Sequence, residues 1–285
     1  MVNFNGDLLP ETAHFLNHTN RGLRYGDAVF ETLRHSGGSL LFWEDHYFRL
    51  MASMRQLRME IPMDFDMEFA ADQIGKTLAA SGLEGRPARI RLTVFRDSAG
   101  FYTPEDRGIK YIVETAALET GGYVAVTDPC RTELFKDYYI QADSLAGLKH
   151  ANRLLQVLAG IYARENGYGT CILLNHRKEV AEAGSGNIFA RFGNTLRTPP
   201  LGSGCLDGIL RKQILRLSAG AGFPYAMEEA VISPFDLQQA DELFYTNVIA
   251  GIRPVTAYRK ADYSREAAGL LTGLLNAQIE TAGNG

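Results

Sequence analysis

The sequence has little of what marks several common classes of protein. Its 285 residues include only three cysteines, Cys130, Cys171 and Cys205, which lie far apart and are odd in number. Such a set suggests neither a disulfide framework nor a metal cluster, so we expect packed thiols. The net charge of −4 comes without a basic patch, which nucleic acids and anionic membranes would require. We therefore expect no nucleic acid and no membrane among the partners.

Long apolar runs are also missing. Nowhere do about eighteen apolar residues follow one another, as a membrane-spanning helix requires. The start, MVNFNGDLLPE, has neither the basic region nor the apolar region of a signal peptide, so we expect a cytoplasmic protein. What is present, 46% hydrophobic and 22% charged residues, is the composition of an ordinary globular protein with a large core.

The first half predicts alternating strands and helices. The periodicity indicates strands over 2–5, 25–34, 88–95 and 108–115, and helices around 47–57 and over 66–80. The SGGS at 36–39 has the composition of a hairpin turn. Alternation in the strand 88–95 places Arg89, Arg91 and Thr93 on one face, which is either a ligand-facing side or the solvent face of an edge strand.

The second half predicts a helix that feeds a hairpin. Lys149 opens a helical pattern that runs until Gly167, and the following strands and helices are predicted over 170–174, 180–183, 187–192, 208–219, 242–246 and 264–281. Asp207 is a candidate cap for the helix that starts at Gly208. The segment AALETGGY has no strong periodicity and contains a Gly-Gly pair, which favours an interdomain connection there.

Taken singly, the candidate functional residues are weak signals. Lys149 on a helix would usually be a solvated surface cation, and Arg49, which has apolar neighbours, could simply snorkel from a core-facing helix. The first amides of the helix after Gly208, those of Ile209 and Leu210, form an anion site that any helix start offers. Several such features in a fixed order along the chain indicate a function more specifically than any one of them alone.

Five segments in order carry a family resemblance. They are RYGDAVFETLR at 24–34, LKHANRL at 148–154, VAEAGSGNIF at 180–189, TPPLGSGCLDGILRKQIL at 198–215 and ADELFYTNVIAGIRPV at 240–255. In this order and spacing they resemble the class IV (fold-type IV) pyridoxal-phosphate enzymes. That family includes branched-chain aminotransferases, D-amino-acid aminotransferases and aminodeoxychorismate lyase.

The resemblance implies a fold of the α+β or α/β class in two domains. A small N-terminal α/β domain would cover 1–117, an interdomain loop 118–123, and a larger cofactor-binding domain with a β-barrel-like core and surrounding helices 124–285. It also implies pyridoxal 5'-phosphate as cofactor and a homodimer, because in this family a neighbouring subunit's small domain completes the active site.

The resemblance further implies a role for each matched residue. Lys149 would be catalytic and bind the cofactor aldehyde as an imine, while Glu182 would keep the ring nitrogen protonated. The remaining cofactor contacts would be Arg49 and the amides of Ile209 and Leu210 on the phosphate, Leu206 under the ring, Asn187 after the Gly-rich turn, and Asn247 with Val248 where relatives often carry serine and threonine. Substrate contacts would be Phe30, Arg91 and Arg96.

The substrate is left open by these residues. Arg91 resembles the arginine of the branched-chain enzymes, whereas Arg96 resembles that of the D-amino-acid enzymes and the lyase. Phe30 replaces the tyrosine, and Ser98 the histidine, of the usual D-amino-acid enzyme. We expect an aminotransferase for an amino acid, branched-chain-like or related, and a 2-oxo acid. The alternatives are 4-amino-4-deoxychorismate lyase, then a D-amino-acid aminotransferase or a non-catalytic binding protein.

Overall fold

The computed structural model describes residues 1–283, and its chain forms two compact units. The first unit comprises Met1–Gly122, Lys149–Asn152 and the end of the chain from Ile279; the second comprises Tyr123–Leu148 and Arg153–Gln278. The interdomain loop at 118–123 stays a prediction. No helix within the described chain combines the length and the apolar character that a membrane crossing needs.

The first unit is an antiparallel sheet with helices. Its elements are β1 (Val2–Phe4), β2 (Asp7–Leu9), α1 (Arg21–Tyr25), β3 (Ala28–Ser36), β4 (Ser39–Leu40), α2 (Trp43–Gln56), α3 (Met67–Ala80), β5 (Ala88–Arg96) and β6 (Ile109–Ala117). The strand order is β2-β1-β6-β5-β3-β4. Because β5 pairs with both β3 and β6, the edge-strand alternative for its arginine-bearing face is wrong.

Helices α2 and α3 form where the helical spacing predicts them. Asp66 caps α3 by accepting a hydrogen bond from the Phe69 amide at 2.7 Å. The apolar faces of both helices enter one core with β3, β5 and β6, in which Leu33, Met54 and Ile74 are completely buried. Isolated helices of this length are only marginally stable in water, so the packing of their apolar faces supplies most of their stability.

The strand predicted over 25–34 begins later, at Ala28. The preceding residues form the short helix α1 instead, because Asn20 accepts a hydrogen bond from the Leu23 amide at 3.0 Å and Gly26 ends the helix with a left-handed φ of 64°. The predicted hairpin turn is confirmed, since His35 pairs with Leu40 across Gly37 and Gly38.

The second unit contains two five-stranded mixed sheets and helices. Its elements are β7 (Arg131–Ile140), α4 (Leu154–Glu165), β8 (Thr170–Asn175), β9 (Val180–Ala183), β10 (Asn187–Phe192), β11 (Thr195–Thr198), α5 (Ile209–Ser218), β12 (Ala226–Glu229), β13 (Glu242–Asn247), β14 (Gly251–Val255), β15 (Ala257–Tyr258), β16 (Ala261–Asp262) and α6 (Glu266–Gly283), whose end groups with the first unit. The strand orders are β12-β11-β10-β13-β14 and β16-β15-β7-β8-β9. The chain is thus mixed α/β, and the barrel-like core of the second domain stays a prediction.

Two expectations about helix starts are wrong. Lys149 does not lie in a helix: α4 starts only at Leu154, because the backbone around Lys149 is hydrogen-bonded to a strand and cannot turn into a helix. Asp207 does not cap α5, whose N-cap is Gly208 without any side-chain acceptor. In both places a non-local arrangement outweighs the local sequence pattern.

The three cysteines are free thiols, and Cys171 and Cys205 are buried as expected for packed thiols, while Cys130 is half-buried. Burial raises the pKa of the Cys171 thiol to about 11 and that of the Cys205 thiol to about 12. Both thiols are therefore protonated at neutral pH and behave as small apolar groups.

Candidate active site

Lys149 is held in the first unit by backbone hydrogen bonds to β3. The Phe30 amide donates to the Lys149 carbonyl at 2.9 Å, and the Ala151 amide donates to the Ala28 carbonyl at 2.8 Å. Val29 and His150 form an antiparallel bridge between the two segments. The main chain thus sets where the lysine side chain begins.

Phe30 brings Lys149 and Arg91 together. The Lys149 Nζ lies 4.5 Å, and the Arg91 Cζ 3.8 Å, from the centre of the Phe30 ring. An aromatic face attracts cations at such distances. Arg91 also donates from Nε to the Thr93 hydroxyl at 3.1 Å and lies 3.9 Å from the Glu114 carboxylate. A primary amine and a guanidinium therefore share one apolar ring.

Arg96 is engaged away from that ring. Its Nε donates to Asp27 at 2.9 Å, its Nη2 to the Leu57 carbonyl at 2.7 Å and its Nη1 to the Arg58 carbonyl at 3.3 Å. Asp27 also accepts from the Nε of buried Arg21 at 2.9 Å. The Arg96 guanidinium thus ties the end of β5 to the end of α2.

Arg49 faces a buried carboxylate. Its Nε donates to Glu31 Oε1 at 2.8 Å, and its Nη2 donates to Glu31 Oε2. His46, one turn earlier on α2, contacts the same Oε2 through Nδ1 at 2.7 Å. The arginine that the resemblance places on a phosphate is therefore already held by a two-point carboxylate contact.

Glu182 forms the centre of a separate cluster in the second unit. Its Oε1 accepts a hydrogen bond from the Gln156 side chain at 3.1 Å, and its Oε2 accepts one from the Leu206 amide at 3.0 Å. Both donors are uncharged, and the carboxylate is buried. Since two carboxylate oxygens offer about four acceptor positions, Glu182 can accept a further N–H.

Asn187 and Leu206 extend the same cluster to the start of α5. The Asn187 amide donates to the Leu206 carbonyl at 2.7 Å. Its Oδ1 lies close to Gly208, where an added Cβ would be only 1.9 Å away. Gly208 leads directly into the amides of Ile209 and Leu210, which have no intrahelical acceptor because they belong to the first turn. The cluster therefore combines a buried carboxylate with a helix start that favours an anion.

Asn247 and Val248 shape the loop after β13. Asn247 Oδ1 accepts hydrogen bonds from the amides of Ile249 at 3.1 Å and Ala250 at 2.8 Å, and its Nδ2 donates to the Ser185 carbonyl at 3.1 Å. The Val248 carbonyl accepts a hydrogen bond from Tyr123 at 3.0 Å. The Asn247 side chain thus fixes the loop and connects it to the Gly-rich turn before β10.

Sequence reasoning did not single out Glu31, His46 and Gln156. Glu31 stands in the strand β3, whose other residues are almost all buried, and a charge in such a strand is a usable signal for a buried ion pair. His46 lies one turn before Arg49 on α2, so their shared partner could be anticipated from helical spacing. Gln156 gave no comparable signal.

Comparisons with known proteins agree with the motifs. The family model described as Amino-transferase class IV matches residues 28–258. A putative branched-chain-amino-acid aminotransferase of Methanocaldococcus jannaschii is 31% identical over 261 residues, which are 89% of this chain and 86% of that protein. An aminodeoxychorismate lyase of Vibrio harveyi is 28% identical over 266 residues, 87% of this chain and 88% of that protein.

A solved structure shows the same fold. It is a branched-chain aminotransferase from the thermophilic archaeon Thermoproteus uzoniensis with norvaline, and it superimposes with a TM-score of 0.83 at 24% sequence identity. The match covers 98% of this chain and 93% of that chain. At this identity, the likeness concerns the fold.

We expect Gly208→Ala to destabilise the protein, because the added Cβ would overlap Asn187 Oδ1. The φ of Gly208 is −74°, which alanine adopts without strain, so the loss should come from overpacking and amount to roughly 1–3 kcal/mol. Thermal or urea denaturation measures it. Gly202→Ala is the matched control, since a Cβ there meets nothing within 4 Å. Equal midpoints for the two variants would show that Asn187 does not pack closely on Gly208.

Proposed function

The chain belongs to the class IV amino-transferases, and we propose that it is a pyridoxal 5'-phosphate-dependent aminotransferase acting on a branched-chain-like or related amino acid and a 2-oxo acid. The observation that carries this proposal is the Phe30 ring, against which both the Lys149 amine and the Arg91 guanidinium lie. A reaction on an amino acid needs an amine for the cofactor and a cation for the carboxylate, and these two groups would supply them.

The chemistry of the donors fits the cofactor. Glu182 accepts hydrogen bonds from uncharged donors and can also accept the N–H of a protonated ring nitrogen. The amides of Ile209 and Leu210 would bind the phosphate, a role that the family resemblance also gives to Arg49, and Leu206 would pack under the ring beside Asn187. Asn247 would keep the loop in shape, so that the Val248 amide can contribute to the phosphate. When bound, pyridoxal 5'-phosphate supplies an aldehyde that links to amines and a ring that accepts negative charge from the substrate.

Two residues would perform the proton chemistry. Lys149 would hold the cofactor covalently through Nζ, and its amine, when not bonded to the cofactor, would take the proton from the substrate α carbon. Glu182 would keep a proton on the ring nitrogen, because its negative charge favours the protonated form. Arg91, on the same ring as Lys149, would hold the substrate carboxylate near the lysine, which shortens the path of the proton.

We expect Lys149→Ala to lose the covalent link to the cofactor, since the family resemblance gives this role to no other lysine. Borohydride reduction followed by peptide mass mapping should label Lys149 in the wild type and no residue in the variant. Lys136→Ala, a change of an exposed lysine on β7, serves as the control and should keep the label on Lys149. A label of the same yield elsewhere in Lys149→Ala would refute the assignment of this lysine.

Arg91 is the better candidate for the substrate carboxylate, because the Arg96 nitrogens are taken up by Asp27 and two carbonyls. Burial lowers the pKa of the Arg91 guanidinium from its ordinary value, and Glu114 only partly offsets this effect. Burial thus disfavours the cation, so a second anion beside Arg91 would be stabilising.

We expect Arg91→Ala to raise the Michaelis constant for both the amino acid and the oxo acid by roughly tenfold or more, which corresponds to the 1.5–3 kcal/mol of a charge-assisted hydrogen bond. The absorbance of bound cofactor should not change. Arg89→Ala, two residues earlier on the same face of β5, is the matched control and should leave both constants within about threefold. Equal effects of the two variants would mean that another group holds the carboxylate.

The second candidate function is that of the lyase, which is favoured by the likeness to the Vibrio harveyi protein. One paired assay separates the two functions. Purified enzyme is given either aminodeoxychorismate, with pyruvate release as the signal, or a panel of L- and D-amino acids with 2-oxoglutarate. Transfer of the amino group with an L-amino acid supports the proposal, whereas pyruvate release alone would replace it with the lyase.

A homodimer belongs to the proposal. Helix α4 carries three exposed apolar side chains on one face, Leu154, Val157 and Ile161, of which Leu154 is 69% and Val157 54% exposed. Exposed apolar faces of this kind mark protein contacts. Because the family resemblance implies a homodimer, we propose that a second copy of the chain covers this face of α4.

We expect the wild type to be a dimer by light scattering and Val157→Asp to shift it towards the monomer, because a charge in an apolar contact stays unpaired. Glu165→Gln, near the end of the same helix, is the control and should remain dimeric. A wild-type monomer that keeps its activity at nanomolar dilution would contradict the dimer, and an unaffected Val157→Asp dimer would move its interface away from this face.

A further inference from the structure

The buried trio of Glu31, His46 and Arg49 is more elaborate than a phosphate-binding arginine requires. Glu31 on β3 is 1% exposed and His46 on α2 is completely buried. Arg49 contacts both carboxylate oxygens of Glu31, at 2.8 Å for the Nε contact. His46 Nδ1 lies 2.7 Å from Oε2. Three polar side chains are thus buried in contact with one another.

The trio contains one cation and one anion. Burial alone would raise the pKa of Glu31, but the attraction of Arg49 and the hydrogen bonds from His46 and Arg49 lower it to about 2. Burial lowers the pKa of His46, so the imidazole is neutral at neutral pH and donates from Nδ1 to the carboxylate. Glu31 therefore stays ionised throughout the physiological range.

A buried ion pair of this kind is weak evidence for stability, because removing both charges from water costs about as much as their attraction returns. It also has a disadvantage for phosphate binding, since Glu31 offsets part of the positive charge that attracts an anion. What the pair does provide is orientation. A two-point contact between a guanidinium and a carboxylate fixes the plane of the guanidinium, and the His46 hydrogen bond fixes the carboxylate.

We infer that Glu31 and His46 are positioning residues that fix the Arg49 guanidinium for the phosphate of the cofactor, with His46 acting through Glu31 and Glu31 acting through Arg49. This inference rests on the proposed function and deepens it. A guanidinium that is fixed before binding loses less conformational entropy when the phosphate arrives. The gain should therefore depend on the phosphate and on Arg49, and not on the aldehyde or ring of the cofactor.

The test compares the affinities for pyridoxal 5'-phosphate and for pyridoxal, which differ only in the phosphate. Equilibrium dialysis gives both dissociation constants, and their ratio is the measured quantity. We expect Glu31→Gln to reduce the preference for the phosphorylated form about tenfold while pyridoxal binds within about twofold of wild type. In an Arg49→Ala background, Glu31→Gln should cause no further change in the ratio, because the residue through which it acts is gone.

His46 provides an independent pair of variants should Glu31→Gln fail to fold. His46→Leu removes the donor and should reduce the phosphate preference, whereas His46→Asn, whose side-chain amide can occupy the position of Nδ1–H, should restore most of it. Equal losses for both ligands in Glu31→Gln or His46→Leu would show a merely structural role. A stronger phosphate preference after Glu31→Gln would show that the carboxylate acts only as a competing anion. Either result overturns the inference. A wild type that binds neither ligand would instead overturn the proposed function.

Discussion

The position of the candidate catalytic lysine depends on backbone hydrogen bonds between the segment around Lys149 and the strand β3. The chain at Lys149 adds to β3 through the Phe30 amide and the Ala28 carbonyl, so the lysine backbone is fixed by the sheet. Consecutive residues of a strand point to opposite faces. Phe30 therefore meets Lys149 and Arg91, while its neighbour Glu31 meets Arg49 of α2. The strand β3 thus contacts basic side chains on both faces, through the aromatic ring of Phe30 on one face and the carboxylate of Glu31 on the other.

Two carboxylates, Glu31 in the first unit and Glu182 in the second, are buried in different ways. Glu31 is paired with a cation and its pKa is lowered to about 2 by Arg49 and His46, which outweigh the effect of burial. Glu182 accepts hydrogen bonds from an amide side chain and from a backbone amide, both neutral. An ion-paired carboxylate is suited to holding another side chain in place. A carboxylate with neutral donors keeps its charge available for a ligand that brings its own proton.

Local periodicity predicts the helices α2 and α3 and the strand β5 because their packing follows from residues close in sequence. It fails at Lys149, where the spacing of apolar residues is helical but the backbone bonds to β3, more than a hundred residues earlier. It also missed β7, because several of its residues are exposed and the alternation is lost. Strand alternation places positions 91 and 96 on opposite faces of β5, and the register of β5 with β6 is continuous between them.

The arrangement at Phe30 bears on which ligand this part of the chain selects. The Arg91 Cζ and the Lys149 Nζ lie 3.8 Å and 4.5 Å from the centre of the Phe30 ring, so two basic side chains share one aromatic ring. The ring attracts each cation, but it cannot cancel their mutual repulsion. An anion would relieve that repulsion more than any neutral ligand could. A tyrosine in place of Phe30 would add a hydroxyl that could also bind the anion, whereas phenylalanine leaves that role to Arg91. The side chains around Phe30 therefore favour an anionic ligand over a neutral one.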